Sequence, residues 1–350
     1  MSFRRWLNIA TVVLIAIILY LSRHELLTAW YLLERVNIWI LLLVLPLQFL
    51  GYYSTGAMIF TYLRGIGDLK KVKSIETARM ALELNFVNHV LPSGGVSGAS
   101  YMTWRLSKLG VSSGRATLAQ VVRFGATFVA FLALLLVAVL LITIDGNINR
   151  VTILVSSALA SIIVFGTIIV AYTISSHARL LAFSRLLDRG INGAWRHIFR
   201  QRKALVQHAT IKKFFEDLHA DFIALRTNPR ILKAPFLWGI VFNVAEVSVF
   251  VATFLALGSF VNPAPILIAV GIASMAGLFL FTPGGAGGYE ALMILFLSSA
   301  GVNPGVALAG VLLARVIMIL LTIATGYAFY HQALKKYGKS SGSPDGPASI

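Results

Sequence analysis

Long apolar segments alternate with short polar connections along most of this chain. A transmembrane helix needs about 20 residues to cross a hydrocarbon core of roughly 30 Å. Six segments reach or approach that length, at residues 6–22, 36–63, 116–144, 151–175, 234–259 and 305–331. The pattern therefore predicts about six transmembrane helices, with the first segment as the marginal case.

Three further apolar segments are too short to cross a membrane, at residues 80–91, 266–281 and 289–300. At about 1.5 Å per residue they reach only about 18 to 24 Å. The first two end in Pro-Ser-Gly-Gly and Pro-Gly-Gly, and the third follows the second cluster of glycines. We expect these segments to be re-entrant or broken helices. The fold class predicted is an all-α integral membrane protein with about six full transmembrane helices plus two re-entrant or broken helical hairpins.

Composition and charge agree with a membrane protein. The 350 residues are 58% hydrophobic and 12% charged, whereas soluble domains carry about 25% charged residues. The net charge of +17 is concentrated in loops: residues 64–79 hold five basic and two acidic side chains, and residues 176–233 hold twelve and four. Because Lys and Arg collect in cytoplasmic loops, we expect both loops and both termini to be cytoplasmic and no nucleic-acid partner. The expected location is a bacterial inner membrane.

The domain organisation expected is a single transmembrane domain over residues 1–331, which includes the basic cytoplasmic loop 176–233. We expect residues 332–350 to form a disordered cytoplasmic tail. The first apolar segment follows Arg4 and Arg5 and resembles a signal peptide, but no small-residue cleavage site follows it. We interpret this segment as an uncleaved anchor.

Two parts of the chain resemble each other when residue i is placed beside residue i+191. Between residues 92 and 116, nine of 25 positions are identical, beginning with Pro92 and Pro283. Both copies, around residues 80–144 and 266–331, share the order short helix, break, short helix, full span. Three full crossings, at residues 116–144, 151–175 and 234–259, separate the two broken hairpins. The pattern therefore predicts inverted repeats, which are common in secondary transporters. Chance similarity between two glycine-rich membrane segments is the alternative.

Ionisable side chains within apolar segments are costly and usually face a cavity or one another. This chain has Glu83, His89, Arg123, Glu246, Glu290 and Arg315 at such positions. Arg123 and Arg315 each follow one broken hairpin. Either they pair with Glu246 or Glu290, or their guanidinium groups bind an anionic group. Glu290 begins a short helix, so it either satisfies backbone amides there or binds a headgroup or a proton.

Other candidates lie around the two breaks. Asn88 precedes the first break and either caps freed backbone groups or contacts substrate. Arg105 either extends towards the interface or contacts lipid phosphate. Glycines at the breaks allow sharp turns and close helix approach. The candidate substrate-binding residues are Arg123, Glu290, Arg315, Asn88, Gly94, Gly95, Gly284, Gly285, Arg105 and Glu246.

The chain contains no recognisable energy-coupling or metal motif. There is no G-x-x-x-x-G-K-[ST] loop, no H-E-x-x-H and no cysteine. We therefore expect no cofactor, no metal and no ATPase. Any transport would run downhill or be coupled to an ion gradient.

Three segments carry a resemblance to a known family: residues 88–123, residues 283–290 and residues 301–315. Together, the Asn-x-x-x-Pro and Pro-Gly-Gly-x-Gly-x-x-Glu elements resemble the flippase-like transmembrane family of lysylphosphatidylglycerol synthases, over roughly residues 10–331. The resemblance implies a membrane protein associated with moving phospholipids or polyprenyl-linked lipids between leaflets. It places the family's membrane arginine on Arg123 and its Pro-Gly-Gly glutamate on Glu290.

The chain departs from the family pattern in two places. Many relatives carry a carboxylate and an arginine soon after the first break, whereas this chain has Val-Ser-Gly-Ala-Ser at residues 96–100. The cytoplasmic aminoacyl-transferase domain of some relatives has no counterpart after His331. We therefore expect no lipid aminoacylation by this chain.

The first functional hypothesis is a flippase-like protein that translocates an anionic phospholipid or polyprenyl-linked lipid, with a second copy or a lipid-biosynthetic enzyme as candidate partner. The second is a membrane-embedded lipid transferase, for which no nucleophile is recognisable. The third is a partner subunit that transports nothing. Transport changes the leaflet of a lipid whereas catalysis changes its chemical identity, so lipid analysis separates the first two hypotheses.

Overall fold

The computed structural model describes residues 36–91, 96–144, 150–176, 227–277 and 285–337, with a few short stretches and single positions elsewhere. Several predicted features lie outside the described residues: the first apolar segment 6–22, the glycines at 94, 95 and 284, most of the basic loop 176–233 and the end of the tail.

Ten α-helices and one short 3-10 helix, Pro229–Leu232, have both ends within the described residues, which contain no strand. In chain order the α-helices are α1 Ile38–Leu41, α2 Val44–Gly65, α3 Ser74–Val90, α4 Val96–Ser107, α5 Ser113–Ile144, α6 Arg150–Ile174, α7 Lys233–Ala256, α8 Pro263–Gly277, α9 Gly288–Ser299 and α10 Pro304–Tyr337.

Five stretches in the described part of the chain are long and apolar enough to cross a membrane: Ile38–Gly65, Ser113–Leu140, Arg150–Ile174, Pro229–Ala256 and Pro304–Tyr337. They coincide with five of the predicted spans. The short apolar helices α8 and α9 also lie where short segments were expected. The prediction of an all-α membrane protein is confirmed.

Helix α3 begins earlier than the hydrophobic pattern indicated. It starts at Ser74 rather than near residue 80, because the polar residues before the apolar segment are also helical. Glu76 lies in the first turn and forms an ion pair with Arg105 of α4. Hydrophobic periodicity does not detect a polar helical turn that is stabilised by an ion pair with another helix.

The turn before α9 depends on glycine. Gly285 has a φ of 73° and Gly287 a φ of 86°, a region that side chains with a Cβ rarely adopt. The Glu290 carboxylate accepts a hydrogen bond from the Gly287 N–H at 2.7 Å. This contact satisfies one of the amide groups that every helix leaves free at its N-terminus.

The short helices pack against the long spans in an exchanged arrangement. Helix α3, before the first break, packs on α10, and helix α8, before the second break, packs on α5. Each contact places a phenylalanine against a glycine: Phe86 of α3 against Gly326 of α10, and Phe131 of α5 against Gly271 of α8. Each glycine permits close approach of the two helices, because a Cβ there would overlap the aromatic side chain.

Helix α7 lies between α2 and α5 and makes extensive contacts with both. A Cβ at Gly239 would lie 2.7 Å from the carbonyl oxygen of Ala126, so the backbones of α7 and α5 approach closely. One turn further, the Asn243 side-chain amide donates to the Thr127 carbonyl of α5 at 3.2 Å. Beyond this point the two helices border a cavity.

Candidate functional site

The cavity between α2, α5, α7 and α8 has a volume of about 200 Å³. Its walls combine aromatic side chains with two ionisable groups on different helices. The lining residues include Arg123, Phe124 and Phe128 of α5, Asn243 and Glu246 of α7, and Ser274 of α8. A mostly apolar pocket with a few converging polar groups is the usual form of a small-molecule or lipid-headgroup site.

Arg123 brings a buried positive charge to this cavity. The residue is 7% exposed, and its Nε and Nη2 atoms are buried without a hydrogen-bond partner in the described part of the protein. Its guanidinium carbon lies 4.1 Å from the centroid of the Phe124 ring. Buried guanidinium donors are almost always paired. Arg123 therefore has free donors for an anionic group.

Glu246 brings a carboxylate to the same cavity. Within the described residues it receives no hydrogen bond and has no ion-pair partner within 4 Å. Arg315 acts on it electrostatically from a greater distance. Arg123 and Glu246 therefore line one cavity as opposite charges without pairing with each other.

Arg315 and Glu290 form a buried ion pair behind the cavity. The Arg315 Nε donates to Glu290 Oε1 at 2.6 Å, and the side chains are 5% and 10% exposed. The Arg315 guanidinium also lies 4.2 Å from the centroid of the Tyr289 ring. Because the other carboxylate oxygen of Glu290 binds the Gly287 amide, Glu290 joins α9, the preceding turn and α10.

Tyr289 connects this ion pair with the cavity. Its hydroxyl interacts with the side chain of Ser274, which lines the cavity from α8. The side chain of Tyr289 therefore lies between the ion pair and the cavity wall. The structure brings Arg123, Glu246, Glu290 and Arg315 into one region of the bundle, with the first two at the cavity surface.

Asn88 and His89 lie at the end of α3. His89 Nδ1 is 2.8 Å from the Asn85 carbonyl oxygen one turn earlier. Asn88 Oδ1 is buried without a hydrogen-bond partner among the described residues, and the side chain packs directly on Gly98 of α4. Neither residue lines the cavity that contains Arg123.

Arg105 belongs to a separate cluster. It pairs with Glu76 and, at 3.2 Å, with Glu83, and its guanidinium lies 4.1 Å from the centroid of the Tyr337 ring. Tyr337 lies 22 residues beyond Arg315 on α10, which corresponds to about 33 Å at 1.5 Å per residue. The sequence placed Arg105 among the lipid contacts, whereas the structure places it with carboxylates far from Arg315.

Sequence reasoning did not identify the uncharged members of the site. Phe124, Phe128 and Phe131 line the cavity from one face of α5, and Ser274 and Asn243 add hydroxyl and amide groups. The spacing of the three phenylalanines is a helical periodicity that the sequence shows, but it is shared with ordinary core positions. Among the described residues there is no cluster of His, Cys, Asp or Glu that could hold a metal ion.

The fold and this site define a polytopic helical membrane protein with opposite charges buried around an internal cavity. The chain belongs to the family described as the lysylphosphatidylglycerol synthase TM region, whose model matches residues 6–326. The resemblance noted in the sequence is thereby confirmed, and the family indicates a membrane protein connected with lipid metabolism or lipid flipping. No curated protein and no solved structure matches the chain.

Proposed function

We propose that this protein translocates a lipid with a phosphate-bearing headgroup between the two leaflets of its membrane, without ATP hydrolysis. The observation that carries this proposal is the buried side chain of Arg123, which lines a cavity inside the bundle and has two nitrogen atoms without a hydrogen-bond partner among the described residues. Guanidinium groups match phosphate geometry with paired hydrogen bonds. A headgroup phosphate would bind Arg123 while the acyl chains stay in the bilayer.

The exchanged packing of the short helices supports the same proposal. Helix α3 packs on α10 and helix α8 packs on α5, so each half of the proposed inverted repeat contacts the long span of the other. Transporters with inverted repeats alternate access by moving one repeat against the other around a central site. The cavity lies beside one of these exchanged contacts, since Phe131 and Gly271 both line it.

A leaflet-sidedness assay tests the proposal. Purified protein in proteoliposomes should let dithionite reach acyl-chain-labelled fluorescent phosphatidylglycerol from both leaflets, whereas protein-free vesicles expose only the outer leaflet. Losing a charge-assisted hydrogen bond of about 1.5 to 3 kcal/mol predicts that Arg123→Ala slows translocation about 10- to 100-fold. The matched control is Arg150→Ala, which removes an exposed arginine at the start of α6.

The result also separates transport from catalysis. If Arg123→Ala folds and keeps the wild-type rate, the proposed site is wrong. If the recovered lipid has changed in mass, the protein is a lipid-modifying enzyme. Unchanged lipid mass together with Arg123-dependent exchange between leaflets supports translocation.

A further inference from the structure

The cavity is lined by two opposite charges on different helices. Arg123 approaches it from α5 and Glu246 from α7. Arg315 satisfies Glu290 directly, which leaves Arg123 and Glu246 as the charged groups at the cavity surface with no ion-pair partner among the described residues. A ligand that neutralises both needs an anionic group at one end and a cationic group at the other.

The cavity volume gives a scale for the headgroup that the site can surround. An engineered cavity of about 150 Å³ holds benzene, a ligand of six non-hydrogen atoms. By proportion, the 200 Å³ here surrounds about eight non-hydrogen atoms, and any further atoms would extend through the open side of the pocket. Phosphoethanolamine has that number, whereas a phosphate with a sugar or with an aminoacylated glycerol is roughly twice as large.

The uncharged walls suit an ammonium group as well. Phe128 and Phe242 line the cavity together with Glu246, and aromatic faces attract cations. The Asn243 amide donates to the backbone carbonyls of Gly239 and Thr127, so it holds α7 on α5 and has its amide hydrogens engaged. The charged acceptor on that wall is the carboxylate of Glu246.

We infer that the cavity selects a zwitterionic phospholipid with a headgroup of phosphoethanolamine size, whose phosphate binds Arg123 and whose ammonium group binds Glu246. This inference rests on the proposed function and adds the substrate class. A zwitterionic headgroup carries no net charge through the bundle. In addition, a protein side chain neutralises each of its two charged ends. A purely anionic headgroup would bind Arg123 through its phosphate but would bring no cationic group to Glu246.

The test compares two lipids that share acyl chains and label and differ only in the headgroup. Acyl-labelled phosphatidylethanolamine and phosphatidylglycerol are supplied to the same proteoliposomes, and the ratio of their translocation rates is measured. We expect wild type to prefer phosphatidylethanolamine about tenfold, which corresponds to about 1.4 kcal/mol. Glu246→Gln should reduce this ratio to about one while phosphatidylglycerol translocation stays equal or rises.

Two controls define the outcome. Asp68→Asn removes a carboxylate that pairs with Arg115 at the surface and should leave the ratio at the wild-type value. Phosphatidylethanolamine acylated on its nitrogen keeps the phosphate but lacks the ammonium charge, so wild type should lose the preference for it.

The failure of this inference differs from the failure of the proposed function. A wild-type ratio near one, a ratio that survives Glu246→Gln, or equal loss of both lipids in that variant overturns the ethanolamine inference while translocation still stands. If wild-type protein moves neither lipid, both the proposed function and the inference are wrong.

Discussion

At the scale of single residues, the two membrane arginines differ in their partners. Arg315 pairs with Glu290 and lies over the Tyr289 ring. Arg123 lines the cavity, and two of its buried nitrogens have no hydrogen-bond partner among the described residues. A side chain that keeps a buried charge unpaired lowers stability and is retained where function needs it. The two arginines should therefore respond in opposite ways to the same substitution.

We expect Arg315→Met to destabilise the protein by about 3 to 5 kcal/mol, because it leaves the buried carboxylate of Glu290 uncompensated. Arg123→Met should leave thermal stability equal or higher, because no ion pair among the described residues is lost. The measurement is the apparent melting temperature in detergent. The double variant Arg315→Met/Glu290→Gln removes the charge but keeps an acceptor for the Gly287 N–H, and it should regain most of the loss. A melting temperature as low as that of the single variant would show that the uncompensated carboxylate is not the cause.

At the scale of helices, glycines decide how closely the exchanged elements pack. In α10, Gly326 faces both Phe86 and the Leu82 carbonyl oxygen of α3. The opposite end of the α3–α10 contact is held by Arg105, Glu76 and the Tyr337 ring. One helix pair thus combines close apolar packing with a buried charge cluster.

We expect Gly326→Ala to destabilise the protein by about 1 to 3 kcal/mol, because the added methyl group forces Phe86 or the backbone of α3 to move. The matched control is Gly166→Ala in α6, where a Cβ meets nothing within 4 Å. Chemical or thermal unfolding in detergent compares the two variants. Equal stability of Gly326→Ala and the control would contradict the close packing of α3 on α10.

At the scale of the whole molecule, an apolar surface surrounds a charged interior. Helix α6 exposes large side chains such as Leu154 and Phe165, at 69% and 65% of their surface. An apolar exterior of this kind suits the hydrocarbon core of a bilayer. The loops that join the helices carry the excess positive charge and should set the orientation.

The absence of cysteine makes the orientation directly testable, since any introduced thiol is unique. We expect Lys71→Cys, in the basic loop after α2, to react with a membrane-impermeant maleimide only after the cells are opened. Phe260→Cys, in the uncharged turn between α7 and α8, should react in intact cells. Phe260 is 77% exposed. Labelling of Lys71→Cys in intact cells would contradict the predicted topology.

Much of this architecture could be predicted from the sequence because its determinants are local. The length and apolarity of each segment indicated five spans that the structure contains, and the Pro-Gly clusters indicated where short helices end. The predicted start of α3 was wrong because the first turn is polar and forms an ion pair with α4, which hydrophobicity does not indicate. Charged residues in apolar segments were recognisable as site candidates for the same local reason.

Pairing among those charges depends on helix packing, which one-dimensional spacing does not contain. Nothing in the sequence distinguishes Arg315, which is paired with Glu290, from Arg123, which has two nitrogens without a partner among the described residues. Nor does the spacing show that Glu246 shares a cavity with Arg123 while Arg105 belongs to a distant cluster. The sequence by itself determined that this is a helical membrane protein with buried charges, because hydrophobic length and burial cost are properties of each segment. Only the tertiary structure decided which charges neutralise each other and which face a cavity, because that depends on contacts between helices far apart in the chain.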